Sequence, residues 1–375
     1  MAFSGKAVYD TGVFDDIAED VSDMISMISP YESPLLDVIG DGDRPAANVL
    51  YEWLEDHLQP DTLVASCAIA STAADTVFGI AAGLAKFIKA GCLLKMGRAY
   101  NAELCQVSVI SGNSVTVTRA FGGTSASSYA AGYSSVYVVS DTALEGEDVT
   151  VDTSRARSRK TNYIQLFKKD IIISGTTQAV KMLGGISDEF SYQQQQRMRE
   201  LLKNLEKNVI QSRLSGNTLG SSTAYRTMSG LLQMVATNIV SIGTIVDSTL
   251  GSVIQAAWAY GGIDVDLICA DENWKREIDW LATARVRTVP DEVRFRSLIT
   301  YFESSFGTQQ CIMSRWMPTT SLLALATPRL GIVPLQGRSF AYRDIAPTGD
   351  AVKGMIVGEY TLELKNEEGM AFAHK

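Results

Sequence analysis

The chain has 375 residues, of which 46% are hydrophobic and 20% are charged, and it carries a formal net charge of −9 at pH 7. This length is enough for two or three domains with buried cores, and the composition is that of a folded protein rather than a disordered one. The negative charge repels nucleic acid and anionic membranes on average, which argues against bulk DNA binding. We therefore expect any contact with DNA to be local and weak.

Hydropathy and cysteine usage favour a reducing cytoplasm. The first six residues, MAFSGK, precede no apolar run of the kind that signal peptides have, and no stretch of about eighteen apolar residues occurs. The cysteines are odd in number, widely spaced and without a C-x-x-C pattern: Cys67, Cys92, Cys105, Cys269 and Cys311. We expect buried free thiols rather than disulfides or zinc ligands, and no membrane span.

Residues 1–45 form a mostly polar first arm. Apolar side chains recur with helical spacing at Ile17, Val21, Met24, Ile25 and Ile28. This pattern predicts a short amphipathic helix over residues 15–28. Pro30 and Pro34 then predict an extended or turned segment over residues 31–36.

Two segments of opposite charge flank a long insertion. The outgoing leg, residues 46–64, and the returning leg, residues 143–175, contain runs in which apolar and polar side chains alternate, as in strands. Opposite charges favour pairing between the two strands or between neighbouring subunits. Our candidates for contacts between subunits are the acidic residues Glu52, Glu55 and Asp56 and the basic residues Arg155, Arg157, Arg159, Lys160, Lys168 and Lys169.

The insertion, residues 65–142, is rich in glycine, serine and threonine and is patterned for strands. Two alternating runs within residues 107–118 flank a Ser111-Gly112-Asn113 turn, which predicts a hairpin. A further strand is predicted over residues 135–139. Several short strands in about eighty residues predict a small all-β domain, either a barrel or a sandwich.

A helical period extends over residues 188–214. Its apolar stripe contains Met198, Leu201, Leu202, Leu205 and Val209. Ser187 is placed to cap the start, and Gly216 is placed to end the helix just after Arg213. Such a helix is about 40 Å long, which suits either a spine along which strands pack or a plain core helix.

Residues 225–345 alternate between helical and strand patterns, which is typical of an α/β layer arrangement. Helices are predicted near residues 250–260 and 271–285, and strands near residues 266–270, 298–302, 310–314, 322–326 and 355–364. Because strand patterns precede and follow this block, we expect it to sit between the halves of another sheet domain.

Signals for catalysis are weak. The chain has two histidines, His57 and His374, and no H-x-x-x-H spacing, G-x-G-x-x-G loop or G-K-[ST] phosphate motif. We therefore predict a non-enzymatic protein with no catalytic, cofactor-binding or metal-binding residues. The basic run over residues 155–169, with Tyr163 and Phe167 interleaved, is the best candidate for a nucleic-acid contact. We favour a charged strand with an acidic protein partner, because the whole chain is acidic.

The order of several short patterns resembles one family of major capsid proteins of tailed phages. The patterns are ISPYESPLLDVIG at residues 28–40, YEW at 51–53, VTRAFGGT at 117–124, EG at 145–146, RKTNYIQLFKKDIIISGT at 159–176, DE at 188–189, GD at 349–350 and EYTLE at 359–363. The likeness also includes the region of Glu206 and spans nearly the whole chain.

This resemblance implies an α+β, Hong Kong 97-like phage capsid fold with an added all-β domain. Its expected parts are an N-terminal arm (1–45), an extended loop (46–64 and 143–175), a β-barrel-like insertion domain (65–142), a peripheral domain with a spine helix (176–224) and a C-terminal strand (346–375), and an axial domain (225–345). The implied function is structural: hexamers and pentamers of this chain would build the icosahedral or prolate head around phage double-stranded DNA.

The resemblance also implies scaffolding, portal and decoration proteins as partners, weak contact with packaged DNA on the inner face, and assembly in the cytoplasm of a bacterial host. Neither a cofactor nor a membrane enters this function. The alternative is a virion decoration protein or a β module that binds a receptor or carbohydrate, because small β domains often recognise such partners.

Overall fold

The chain folds into two compact units, which we call the core unit (Met1–Trp53 and Lys160–Lys375) and the insertion unit (Leu54–Arg159). The computed structural model describes residues 32–375 except 43, 67, 68, 70–75, 131, 147, 149–151, 153, 181–187, 215, 217, 218, 262–264, 282–285, 290–298, 347 and 348. The helix predicted over residues 15–28 and Cys67 lie outside the described residues.

The helices are α1 (Pro34–Ile39), α2 (Gly175–Ala179), α3 (Glu189–Gln211), α4 (Leu231–Met234), α5 (Asp247–Gly261) and α6 (Glu272–Trp280). The first strands are β1 (Leu50–Glu55), β2 (Thr62–Leu63), β3 (Val77–Gly79), β4 (Leu93–Met96), β5 (Leu104–Ser111), β6 (Ser114–Thr118), β7 (Val136–Ser140), β8 (Ser158–Tyr163) and β9 (Gln165–Ser174). The remaining strands are β10 (Ile239–Ser241), β11 (Leu267–Ala270), β12 (Val286–Val289), β13 (Ile299–Ser304), β14 (Gly307–Met313), β15 (Ser321–Leu325), β16 (Leu330–Pro334), β17 (Ala341–Ile345), β18 (Ala351–Leu364) and β19 (Ala371–His374).

The core unit contains a seven-stranded mixed sheet in the order β10-β19-β15-β11-β14-β13-β12. All four side chains of its central strand β11 are buried. Leu267 and Cys269 face the core that contains α3, whereas Ile268 and Ala270 face the core that contains α5 and α6. A strand that is covered on both faces has a continuous run of apolar residues. The strand predicted over residues 266–270 from such a run is confirmed as β11.

A second sheet of the core unit is built around the long strand β18. One edge of β18 pairs with β9, and the other pairs with β16 and β17. The sequence prediction placed residues 330–345 with the axial block, but β16 and β17 from this segment bond to β18. The final strand β19 then returns to the seven-stranded sheet beside β10 and β15. The chain therefore crosses twice between the two sheets after β15.

The helical period that begins at residue 188 corresponds to α3, about 35 Å long at the standard rise per residue. The Asp188 carboxylate caps it by accepting hydrogen bonds from the Phe190 and Ser191 amides; the predicted cap, Ser187, lies outside the described residues. The helix ends at Gln211, because Ser212 is extended, so the predicted end at Gly216 is wrong.

The buried face of α3 differs from the predicted apolar stripe at four positions: Met198 and Leu202 are not buried, whereas Glu206 and Ile210 are. Leu201, Leu205 and Val209 are buried as expected. Leu202 is 37% exposed, whereas Glu206, one turn further along, is completely buried. The apolar pattern alone does not reveal this exchange, because a buried carboxyl is a rare exception to it.

The first described helix, α1, corrects the expectation of an extended or turned segment over residues 31–36. Pro34 occupies the first turn of α1, and the helix continues to Ile39. Proline is well tolerated there, because its missing N–H would have no partner inside the helix and its φ already suits the helix. Pro34 therefore starts this helix rather than preventing it.

After α1 the chain runs against β16 through two glycines. The Gly42 amide donates to the Ile332 carbonyl at 2.8 Å, and a Cβ built on Gly331 would lie 2.8 Å from the Gly42 Cα. No side chain fits between two backbones at that separation, so glycine is required for this contact.

We expect Gly331→Ala to lower the free energy of unfolding by about 1–3 kcal/mol, because the added methyl forces the two backbones apart. Gly251→Ala is the matched control. Gly251 lies inside α5 with open space where its Cβ would be, so alanine there should stabilise the chain by up to about 1 kcal/mol. Denaturant unfolding followed by tryptophan fluorescence measures both, and equal effects of the two variants would contradict the prediction.

Candidate assembly site

The two oppositely charged legs form a pair of strands, β1 and β8. Alternate residues of β1 point inward, so Tyr51 and Trp53 are buried in a small cluster with Ile164. The Ile164 amide donates to the Val49 carbonyl at 3.0 Å. The predicted strands of both legs are thereby confirmed.

The same alternation decides which acidic candidates are accessible. Glu52 and Asp56 are exposed, whereas Glu55 is only 5% exposed because it follows Tyr51 and Trp53 on the inward side of β1. The spacing in the sequence predicts the burial of Glu55, because residues two apart on a strand share a face.

The basic candidates of the insertion unit have contacts within the chain. Arg157 Nε lies 3.6 Å from an Asp56 carboxylate oxygen, and both side chains are more than half exposed. Arg155 donates to the Leu58 carbonyl at 2.7 Å, and its guanidinium lies 5.6 Å from the centre of the Phe87 ring. The structure thus brings Asp56 and Arg157 together, in a pair that water screens.

The remaining basic candidates belong to the core unit or its border. Arg159 and Lys160 are exposed. On β9, Lys168 lies 3.1 Å from its neighbour Asp170, and Lys169 lies 3.3 Å from Glu200 of α3. Both lysines therefore have acidic partners inside their own subunit.

The insertion unit is a six-stranded barrel. Its sheet has the order β2-β7-β4-β5-β6-β3. The two ends of this sheet meet where Ala65 pairs with Ile80, supported by bonds from the Ser66 amide to the Gly79 carbonyl and from the Ala81 amide to the Val64 carbonyl, each 2.8 Å. These hydrogen bonds join the two edge strands of the sheet. The hairpin predicted within residues 107–118 is confirmed as β5 and β6.

A buried ion pair lies beside the barrel core, and it involves the VTRAFGGT pattern. Arg119 donates from Nε and Nη2 to the two Glu103 carboxylate oxygens at 2.9 and 2.7 Å, and both side chains are fully buried. The Ala120 and Ser127 amides donate to the same carboxylate, and Arg119 donates to the Ser127 carbonyl. Burial alone would raise the pKa of Glu103, but these hydrogen bonds outweigh it and hold the pKa below its usual value.

The rest of this pattern forms the turn that follows Arg119. Ala120, Gly122 and Gly123 all have positive φ angles, a conformation that glycine adopts without strain. The Thr124 hydroxyl donates to the Phe121 carbonyl and accepts a bond from the Leu104 amide, next to Glu103. The pattern is therefore structural, and sequence reasoning missed Glu103 because nothing in its neighbourhood marks it as the partner of Arg119.

Groups that support catalysis are weakly represented. The described cysteines, Cys92, Cys105, Cys269 and Cys311, are free and buried, and burial raises the pKa of each thiol. Within the part of the chain that the structure describes, no three metal-ligating side chains form a group, and no helix is long and apolar enough to span a membrane.

Comparisons with known proteins match the fold and the sequence to phage heads. The model of the SU10 major capsid protein family matches residues 4–375. The capsid of Myoviridae phage XM1 is similar over 99% of both chains, with a TM-score of 0.52 and 7% identity. The Microbacterium phage Oxtober96 structure covers 96% of this chain and 95% of its own, with a TM-score of 0.49 and 12% identity. No curated protein matches.

The fold is the Hong Kong 97-like fold of phage capsids, and the function is that of a structural major capsid protein. The chain belongs to the SU10 major capsid protein family. The resemblance found in the sequence is confirmed, and the alternative of a decoration or receptor-binding module is not supported.

We expect Glu103→Gln to destabilise the insertion unit by about 3–5 kcal/mol, because it leaves a buried arginine without its counterion. The lowered pKa of Glu103 adds a pH dependence: the pair's contribution is present above the unfolded pKa of about 4.5 and is lost as pH falls through the folded pKa.

Hydrogen exchange of peptides from β5 and β6 measures this effect. All tryptophans of the chain lie outside residues 54–159, so tryptophan fluorescence reports the core unit separately. Asp56→Asn, in the exposed pair with Arg157, is the control and should change stability by at most about 1 kcal/mol. Similar losses from both variants would contradict a special role for the buried pair.

Proposed function

We propose that this chain assembles with itself, as hexamers and pentamers, into the closed icosahedral or prolate head that encloses phage double-stranded DNA. The supporting observation is the match of the capsid family model to residues 4–375. One chain that occupies both kinds of ring needs contacts that close at several angles. Assembly would take place in the cytoplasm of a bacterial host.

The parts of the fold predicted from the sequence enter this proposal with adjustments. Strand β2 joins the insertion domain, because it pairs with β7, and β9 joins the peripheral domain, because it pairs with β18. Residues 1–45 act as the N-terminal arm, 46–64 and 143–175 as the extended loop, and 65–142 as the insertion domain. Residues 176–224 and 346–375 form the peripheral domain. The axial domain, predicted as 225–345, loses β16 and β17 to the peripheral sheet and gains β19, because strand pairing decides membership.

Contacts between subunits are proposed at the exposed charges of the legs. Glu52 and Asp56 are exposed, and Arg155, Arg157, Arg159 and Lys160 are exposed as well. An exposed charge is accessible to an opposite charge of a neighbouring subunit, whereas a buried one is not. Glu55 ranks lower among the candidates, because it is buried. Lys168 and Lys169 stay candidates, as Arg157 does, although each of the three pairs with an acidic residue of its own subunit.

Scaffolding, portal and decoration proteins are the partners that this function requires. Contact with packaged DNA should be weak, since a subunit of net charge −9 repels the phosphate backbone on average. The proposed function includes neither catalysis nor a cofactor.

Electron microscopy of the purified full-length chain, with and without a coexpressed scaffolding protein, tests the proposal. We expect closed shells or tubes of regular subunit rings. A chain that stays monomeric at high concentration with scaffold supplied would overturn the proposal.

The leg contacts are tested by a variant in which Arg155, Arg157, Arg159 and Lys160 are all changed to glutamate. Each exposed pair contributes only about 0–1 kcal/mol, but the loss is repeated at every interface of a ring, so shells should fail to form while the subunit stays folded. A control with Arg213, Arg315 and Arg343 changed to glutamate reverses exposed charges outside the legs.

Shell yield by sedimentation and folding by circular dichroism separate the outcomes. If the leg variant forms normal empty shells that fail only to retain DNA, the basic run contacts nucleic acid instead of a neighbouring subunit. If both variants abolish assembly equally, net charge rather than the leg contact is responsible.

A further inference from the structure

Glu206 of α3 is a buried carboxyl that the shell function does not use. Its side chain is completely inaccessible to solvent. The Ser314 hydroxyl donates to Glu206 Oε1 at 3.0 Å, while Oε2 accepts no well-formed hydrogen bond from the described residues. No cation among those residues pairs with it. An ionised carboxylate in such a place loses its hydration without adequate compensation.

Three segments meet around this carboxyl, and we call them the α1 junction: residues 32–36, 206–211 and 314–316. The Leu35 and Leu36 amides at the start of α1 face the Glu206 carboxyl. Trp316 Nε1 donates to the Glu32 carbonyl at 3.1 Å, and Lys207 Nζ lies 4.2 Å from the centre of the Trp316 ring. These contacts, through Trp316, connect the beginning of α1 with the last turns of α3.

The surroundings of Glu206 disfavour its charged form on balance. Burial raises the pKa of Glu206 to about 7, and Asp37 on α1 acts in the same direction. The Ser314 hydroxyl and the Leu35 and Leu36 amides lower it by a smaller amount. On β11, the Cys269 thiol also faces the carboxyl, and Arg315 in the loop after β14 is exposed.

We propose that Glu206 is a proton-operated latch, which holds α1 on α3 when the carboxyl is neutral and loosens α1 when it ionises. Opening the junction returns the carboxyl to water, where its charged form is favoured. The latch would thereby control how firmly α1, which belongs to the described part of the N-terminal arm, is held against α3. This regulation goes beyond shell building and can be tested on unassembled subunits.

The sign follows from the raised folded pKa. Below the unfolded value of about 4.5, both closed and open junctions carry a neutral carboxyl and the closed form has its full stability. As pH rises through about 7, the open form gains from ionisation that the closed form resists. A difference of this size makes opening about 30-fold more favourable at pH 8.5 than at pH 5.5.

Hydrogen exchange of the full-length chain at these two pH values, corrected for intrinsic exchange rates, tests the latch. For peptides that cover α1 and residues 204–211, the protection factor should be about 30-fold lower at the higher pH. Glu206→Gln should abolish that difference. Glu200→Gln is the matched control on the same helix, where the carboxylate already pairs with Arg197 and Lys169, and it should keep the difference.

Ser314→Ala gives an independent test that does not alter the carboxyl itself. It removes a hydrogen bond that favours the charged form, so the midpoint of the pH dependence should move to higher pH. The proposal is overturned if α1 protection still depends on pH in Glu206→Gln. It is also overturned if the midpoint of Ser314→Ala stays where it is in the unmodified chain.

Discussion

Antiparallel pairing of β18 with β9 determines how the rest of the core unit packs. It sets residues far apart in sequence side by side, such as Val352 with Ile173. Two glycines of β18 leave room for aromatic rings that come from the side of β17. A Cβ at Gly358 would lie 2.4 Å from the Phe340 ring, and one at Gly354 would lie 2.5 Å from the Tyr342 ring. Phe340 in turn contacts Phe167 of β9 edge-on, and Tyr342 contacts Phe190 of α3. Larger side chains at these glycines would separate β17 from the sheet and remove ring contacts that reach α3.

The buried carboxyls of Glu103 and Glu206 differ in what surrounds them. Glu103 receives two bonds from Arg119 and two from backbone amides, so its charged form is stabilised and its pKa is lowered. Glu206 receives one hydroxyl bond and lies near Asp37, so burial dominates and its pKa rises to about 7. A glutamate carboxyl is therefore held in its ionised form in the insertion unit, whereas in the core unit it changes its charge near neutral pH. Hydrogen-bond donors, rather than depth of burial, decide between these behaviours.

Sequence reasoning succeeded where the structure is determined by nearby residues. The alternation at Tyr51 and Trp53, the turn at Gly112 and the helical period of α3 all follow local periods. The corresponding strands and hairpin and the existence of the helix were predicted correctly, whereas the end of the helix and part of its buried face were not. It failed where partners are distant. The pairing of β16 and β17 with β18 and the bond of Arg119 to Glu103 depend on contacts that no short window contains. The candidate charges of the legs were identifiable from composition, but their accessibility depended on the face that each one occupies.

The subunit separates strong contacts from weak ones by burial. The pair of Arg119 and Glu103 is fully buried and makes further hydrogen bonds to the backbone of Ala120 and Ser127, so breaking it leaves an uncompensated buried charge. The pair of Arg157 and Asp56 is exposed at 3.6 Å, where water and salt weaken it. Both pairs lie within one subunit, so the difference between them concerns the stability of the fold. Loss of the buried pair should lower the free energy of unfolding far more than loss of the exposed pair.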